Sequence, residues 1–449
     1  MIMKGYKISI IIVFGILSTG ILQGQTIRYF SLQEALDYAM ENNYQVILSE
    51  KNIEAAKARV LESTAMGLPQ VNGSINYKDN FARPTFIFPS FTPGGEEMEI
   101  QMGTNYNASL GASLNQLLFS GEYIVGLKAA KKFLEKTSAD FFKNKLAVRQ
   151  QVANSYYNVL STEAALQVVD STYMLTKALA DETRQIYKVG FAEDIDVDQL
   201  DLLVSDLDAN RVFLENQRGI AYAFLKYYLG LGENDSIVLT DDMKILIEKS
   251  KNSLVSLDTF KYSQNADFVS LNKQKELTFL QVSLAKSAYM PTLAARVNYQ
   301  TEAQRNTWDF FNSKGKWFQS GSLGITLDVP IFSSGQRKAR VQQARVAYEQ
   351  MEISEKQLIT MLNLQYETAR NEYFNALRVY QNKDKTRKVA EKIFYKTGVK
   401  FSEGMATSLD ILNTQTQYLK AEQDYIAAAA ALLKAGEDLK KLKTNALNQ

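Results

Sequence analysis

The sequence predicts a mostly α chain with membrane β-strands, written as two structural repeats and completed by copies of itself. Three observations carry this: a long internal duplication, alternating segments of about ten residues, and helical runs longer than a globular domain uses.

The duplication has a spacing of about 213 to 214 residues. Leu110-Gly111-Ala112-Ser113-Leu114 followed by Phe119-Ser120-Gly121 returns as Leu323-Gly324-Ile325-Thr326-Leu327 followed by Phe332-Ser333-Ser334-Gly335. Gly190 with Asp196-Val197 returns as Gly404 with Asp410-Ile411. The first repeat is expected over 25–230, with strands at about 70–79 and 104–118 and long helices at about 122–188 and 195–230. The second is expected over 258–449, with strands at about 292–301 and 319–332 and helices at about 335–400 and 408–442. Between them 231–257 is more polar, with one short apolar run Ile237-Val238-Leu239, and reads as a waist element packed outside the helices.

Before the first repeat, 1–24 reads as an export signal peptide. Lys4 and Lys7 supply the positive end, Ile8 to Leu17 the apolar core, and Gly20 and Gly24 the small residues of a cleavage site. That apolar run is shorter than the roughly 20 residues a membrane-spanning helix needs.

The formal net charge of +2 carries no nucleic-acid footprint, and acidic and basic side chains alternate as on solvated helix faces. Cysteine and histidine are both absent. Disulfides, Cys/His metal clusters and a histidine general base are therefore excluded, so no enzyme, metal or cofactor is expected. A chain without thiols also suits an oxidising periplasm.

Four segments alternate with period two. Val71, Gly73, Ile75 and Tyr77 oppose Asn72, Ser74 and Asn76, and Tyr106, Ala108, Leu110, Ala112 and Leu114 oppose Asn107, Ser109, Gly111, Ser113 and Asn115. Leu293, Ala295, Val297 and Tyr299 oppose Thr292, Arg296, Asn298 and Gln300, while Leu323, Ile325, Leu327, Val329 and Ile331 oppose Ser322, Gly324, Thr326 and Asp328. Strict alternation gives each strand one apolar and one wet face, at the length of a tilted membrane strand. Pro69 and Pro291 stand just before the first strand of each repeat, where a helix stops and a strand tolerates proline. Long loops, from Asn80 to Met102 and from Glu302 to Trp317, join the strands of each pair.

The helical runs carry heptads. Val152, Val159, Leu166, Tyr173, Ala180 and Tyr187 form one column, and Leu200, Leu207, Leu214, Ala221 and Tyr228 the next. Ile359, Tyr366, Tyr373 and Tyr380 follow, then Ile411, Tyr418, Tyr425, Leu432 and Leu439 beside Leu412, Leu419, Ile426 and Leu433. A seven-residue apolar repeat holds one stripe against a partner helix. Each longest run predicts a rod of roughly 100 Å.

Four strands cannot close a membrane barrel, and an open sheet would leave backbone edges in hydrocarbon at several kcal/mol per group. The chain must share its barrel with copies of itself. Two copies give about eight strands filled by side chains, whereas three give about twelve and leave a lumen. Polar strand faces carrying Asn, Ser, Thr, Arg296 and Asp328 argue for water inside and favour three over two only modestly, leaving the number open from the residues alone.

In combination the motifs resemble the TolC-type outer-membrane efflux proteins over nearly all of the mature sequence. Ser31-Leu32-Gln33-Glu34-Ala35-Leu36 with Ala39 and Asn42-Asn43 resembles that family's opening helix. Tyr289-Met290-Pro291 and Phe332-Ser333-Ser334-Gly335 resemble its helix–strand junctions, and Gly404 to Leu412 a helical-hairpin tip. The resemblance implies a homotrimer with a shared twelve-stranded barrel in outer-membrane lipid, continuous with a periplasmic α-helical barrel. It also implies a passive exit duct for efflux or type I secretion, coupled to an inner-membrane pump through a periplasmic adaptor. The competing reading is a structural or adhesive envelope coiled coil without an open pore.

The resemblance places function at the hairpin tips. Asp410 matches the position of an inward-facing aspartate ring at the periplasmic constriction, and Asp196 is its counterpart in the first repeat. Such a ring selects cations, although a carboxylate at a helix start also caps free N–H groups. Family members tie the closed tip with a Tyr, an Asp and an Arg; the matching positions here hold Phe401, Asp196 and Ala406. Asn413 stands where a second ring aspartate often lies. The tie is therefore expected to be made differently. Gly190, Phe191, Gly404 and Met405 match the positions that adaptor hairpins contact, and glycine also suits a tight interhelical turn.

Overall fold

A computed structural model describes residues 27–89, 97–254, 260–312 and 315–444. The expected signal peptide, Pro93 and the last residues of the waist lie outside them. The chain runs β1 (Ile27–Phe30), α1 (Leu32–Asn42), α2 (Tyr44–Ala65), β2 (Gln70–Asp79), β3 (Thr85–Phe88), β4 (Met98–Gln101) and β5 (Tyr106–Ser120). It continues with α3 (Gly121–Lys188), α4 (Asp194–Leu229), β6 (Ser236–Leu239) and α5 (Met243–Leu254). The second half is α6 (Ala266–Ser287), β7 (Thr292–Arg305), β8 (Phe318–Asp328), α7 (Gln336–Ser402) and α8 (Ser408–Lys443).

Four strands form one antiparallel sheet in the order β2-β5-β7-β8. Its register joins like with like. Val71, Leu114, Val297 and Leu323 make one cross-strand row, and Asn72, Ser113, Asn298 and Ser322 make the next. Because side chains alternate, one sheet face is therefore apolar and the other polar. Among the described residues no helix covers the apolar face: Ile75 is 81% and Leu323 74% exposed. Such a face in a folded protein marks an interaction surface.

Three differences from expectation concern the loops and strand ends. The fourth strand stops at Asp328 rather than 332, since Pro330 has no N–H to donate, and Val329 and Ile331 lie beyond the ladder. The loop after β2 is not structureless: β3 and β4 pair antiparallel as a small hairpin. On the other side β7 reaches Arg305, where its partner β5 begins.

At the opposite end β5 passes directly into α3. Its register shifts between Leu117 and Phe119, and Ser120, the last strand residue, accepts the Tyr123 N–H as the helix cap. With 68 residues α3 is about 102 Å long. Near the sheet it packs on α2 and α6; farther out it packs on α4 and α8, while α7 lies against α6 and then α8. Val152, Val159, Leu166 and Ala180 of the first predicted column are buried, and so are Leu200, Leu207 and Ala221 of the second. Tyr187, at the distal end, is exposed.

The main core sits midway along the helices, around Tyr156, Leu225, Leu229 and Leu433. The waist element closes it from outside through Ile237, Leu246 and Ile247. That element also includes a strand assigned by sequence to the first repeat: β1 pairs in parallel with β6. Asp241 pins the join, accepting the Leu32 N–H at 2.6 Å and the buried Tyr156 hydroxyl at 3.2 Å.

Candidate functional site

The two hairpin tips are built alike. The α3 helix ends with Gly190 donating its N–H to the Tyr187 carbonyl and Phe191 to the Ile186 carbonyl. Likewise α7 ends with Gly404 donating to Phe401 and Met405 to Lys400. This paired pattern needs a left-handed residue after the helix, and Gly190 and Gly404 supply it with φ of 83° and 73°. The turn thereby throws the next side chain outward. Phe191 is 84% and Met405 70% exposed, so each tip presents a bare apolar side chain beside its glycine.

The returning helices start with matched boxes. Glu193 donates its N–H to Asp196 Oδ2 at 3.3 Å. Thr407 donates its N–H to Asp410 Oδ2 at 2.9 Å and its hydroxyl at 2.8 Å. The backbone N–H and hydroxyl of Thr407 hold the exposed Asp410 carboxyl below the usual carboxylate range. Asp410 thus caps its helix and keeps its charge in solvent at the extreme end of the chain.

Asp196 does more. Its Oδ1 accepts the Ser408 hydroxyl, joining the start of α4 to the start of α8. Ser408 is buried and its Oγ also lies 2.7 Å from the Gln199 side-chain amide. A hydroxyl has one proton; with it given to Asp196, Oγ accepts from Gln199 once that amide presents its NH2. The two hairpin tips are thus tied within the chain by Asp196, Ser408 and Gln199.

Phe401 cannot form such a bond and packs instead on Ala180, Leu200 and Ile411 beneath the tips. Asn413 is exposed on α8. The structure therefore brings Asp196 and Phe401 to the tip junction, leaves Asp410 and Asn413 on the surface, and adds Ser408 and Gln199. Sequence reasoning missed that pair because Ser408 has no counterpart in the tie of the resembled family. Polar residues near a cap are also the expected local grammar.

On the sheet, Arg296 lies on the polar face in the row of Gln70, Asn115 and Gly324 and donates from Nε to Asn115 Oδ1 at 2.6 Å. Asp328 shares that face at the helix-side end, opposite Thr292. The two are separate features, about 13 Å apart along the strands. Among the described residues no group of acidic side chains could hold a metal ion.

Comparison with known proteins matches residues 35–231 and 262–443 to the family described as Outer membrane efflux protein. Outer membrane protein TolC of Vibrio cholerae is 22% identical over 418 residues, covering 90% of each chain. A probable efflux pump outer membrane protein, TtgC of Pseudomonas putida, is 20% identical, covering 70% of this chain and 62% of its own. Among solved structures the CmeC outer membrane channel of Campylobacter jejuni superposes with a TM-score of 0.72 at 15% identity, covering 93% of this chain and 87% of CmeC. VceC of Vibrio cholerae gives 0.69 at 14% identity, with 92% and 96% covered. At such identities the structural likeness speaks for the fold.

Proposed function

The chain belongs to the outer membrane efflux protein family, and from that premise we propose that three copies close one continuous duct from the periplasm across the outer membrane. As a member it is an outer-membrane efflux channel and not an enzyme.

One observation carries the three-copy reading. The sheet order β2-β5-β7-β8 leaves β2 and β8 each with a single neighbour among the described residues. All three pairings are antiparallel, so these two edges run in opposite directions. Rotation about a barrel axis then sets β8 of one copy beside β2 of the next, again antiparallel, and no edge remains. Three copies make about twelve strands, with the apolar rows toward lipid and Arg296 and Asp328 toward a water-filled lumen.

The helices support the same closure. Leu202, Phe213 and Phe224 recur every eleven residues on α4 and are all exposed, as are Ile353 and Leu364 on α7. These outward lines are the natural contacts between neighbouring copies.

In the assembled duct the six tips surround the periplasmic entrance. Three Asp410 carboxylates near one axis favour cations. The Asp196–Ser408–Gln199 tie holds the entrance narrow, and Phe191 and Met405 offer the docking points for a periplasmic adaptor that links the duct to an inner-membrane pump. The test combines light scattering of the detergent-solubilised protein with planar-bilayer recording. Three times the chain mass and cation-selective steps are expected; a monomer, or no conductance, would overturn the reading.

A further inference from the structure

Below the tips α3, α7 and α8 diverge around a cleft of about 420 Å³. Leu175 and Leu179 of α3, Phe394 and Val399 of α7, and Ile411 and Tyr418 of α8 give it mostly apolar walls. The Phe394 and Tyr418 rings stack on each other at 5.3 Å with planes 10° apart, bridging α7 and α8 at the side of the cleft. Gly398 also lines the cleft, and a side chain there would meet open space.

One wall residue is both buried and unsatisfied. Gln415 is 2% exposed, and its Nε2 has no hydrogen-bond partner. Its other amide atom lies 3.0 Å from Thr176 Oγ1, whose hydroxyl also reaches the Thr172 carbonyl at 2.8 Å. Thr176 has one proton and cannot donate twice. If that proton goes to Thr172, the amide turns its NH2 to Thr176 and leaves its carbonyl unpaired. In either orientation one buried amide atom is left with unmet hydrogen-bonding capacity, which costs free energy until a partner arrives.

We propose that this cleft is a binding site for a small planar aromatic molecule carrying one hydroxyl. The ring packs against the stacked Phe394–Tyr418 pair and the hydroxyl, donor and acceptor in one group, meets Gln415 in either orientation.

The probe is 1-naphthol, with naphthalene as the same shape lacking the hydroxyl. Binding is measured by titration calorimetry on the full chain in lipid nanodiscs, against empty nanodiscs. One saturable site per chain is expected, with naphthalene about tenfold weaker because the amide stays unpaired. Gln415→Leu is expected to erase that tenfold preference while keeping naphthalene binding. Gly398→Phe or Ser402→Phe, each filling the cleft, is expected to abolish both, read on whichever variant keeps the wild-type helical melt. Absence of saturable binding, binding that survives a filled cleft, or a hydroxyl preference retained in Gln415→Leu would each overturn the proposal.

Discussion

At the scale of single residues the tip is governed by where one proton and one charge sit. Ser408→Ala removes the donor shared by α8 and α4, and should cost about 1 kcal/mol. Single-channel recording should show a several-fold larger or longer-lived open level, with trimers intact. Asp410 behaves differently because its charge is exposed. Its folded carboxyl titrates below its unfolded value, so the box it forms with Thr407 is complete above the ordinary carboxylate range. That contribution is lost only as pH falls through the lowered value. Cation preference should therefore persist into acid where a free carboxylate is already half neutral, and Asp410→Ala should remove it at neutral pH; reversal potentials in a salt gradient measure both. Asp410 and Asp196 were legible in the sequence because the duplication repeats them. Ser408 was not, since a serine at the first turn of a helix carries no period and its partner is remote in sequence. The Asp196 bond exists only once the two hairpins are side by side.

Helices and strands were legible in proportion to their length. Heptad columns located α3, α4, α7 and α8 because tens of residues repeat one signal, and period-two alternation located the sheet for the same reason. The pairs β1–β6 and β3–β4 escaped. Each strand has four residues, too few to display a period, and β1 finds its partner more than two hundred positions away. The end of β8 was misplaced because alternation continues through Val329 and Ile331 after Pro330 has already ended the ladder. The elements meet most tightly where α8 enters the midway core. Leu433 is 1% exposed there, and Leu433→Ala should destabilise the fold by roughly 2–5 kcal/mol, visible as a lower thermal midpoint by circular dichroism.

For the whole molecule, the unfinished sheet and the bare helix lines ask for the same neighbour. If α4 faces the next copy, Phe213→Glu puts a charge into a desolvated seam and should shift the solubilised protein from trimer toward monomer in light scattering, with helical content preserved. The proposed oligomer follows only from an argument about edges, since a sequence shows how many strands a chain owns and not how many a barrel needs. One feature of the described chain then sets its mechanics. Strand β5 becomes α3 at Ser120 without an intervening loop, so the rod is fixed in the sheet at one end, while its far end is held by helix packing and the tie between the tips. It acts as a lever: a flexure of about 5° near its root carries the tip sideways by roughly 9 Å over a length of about 102 Å. A modest bend concentrated near the root thus suffices to shift the mouth by close to a helix diameter, with the lipid-embedded end hardly disturbed.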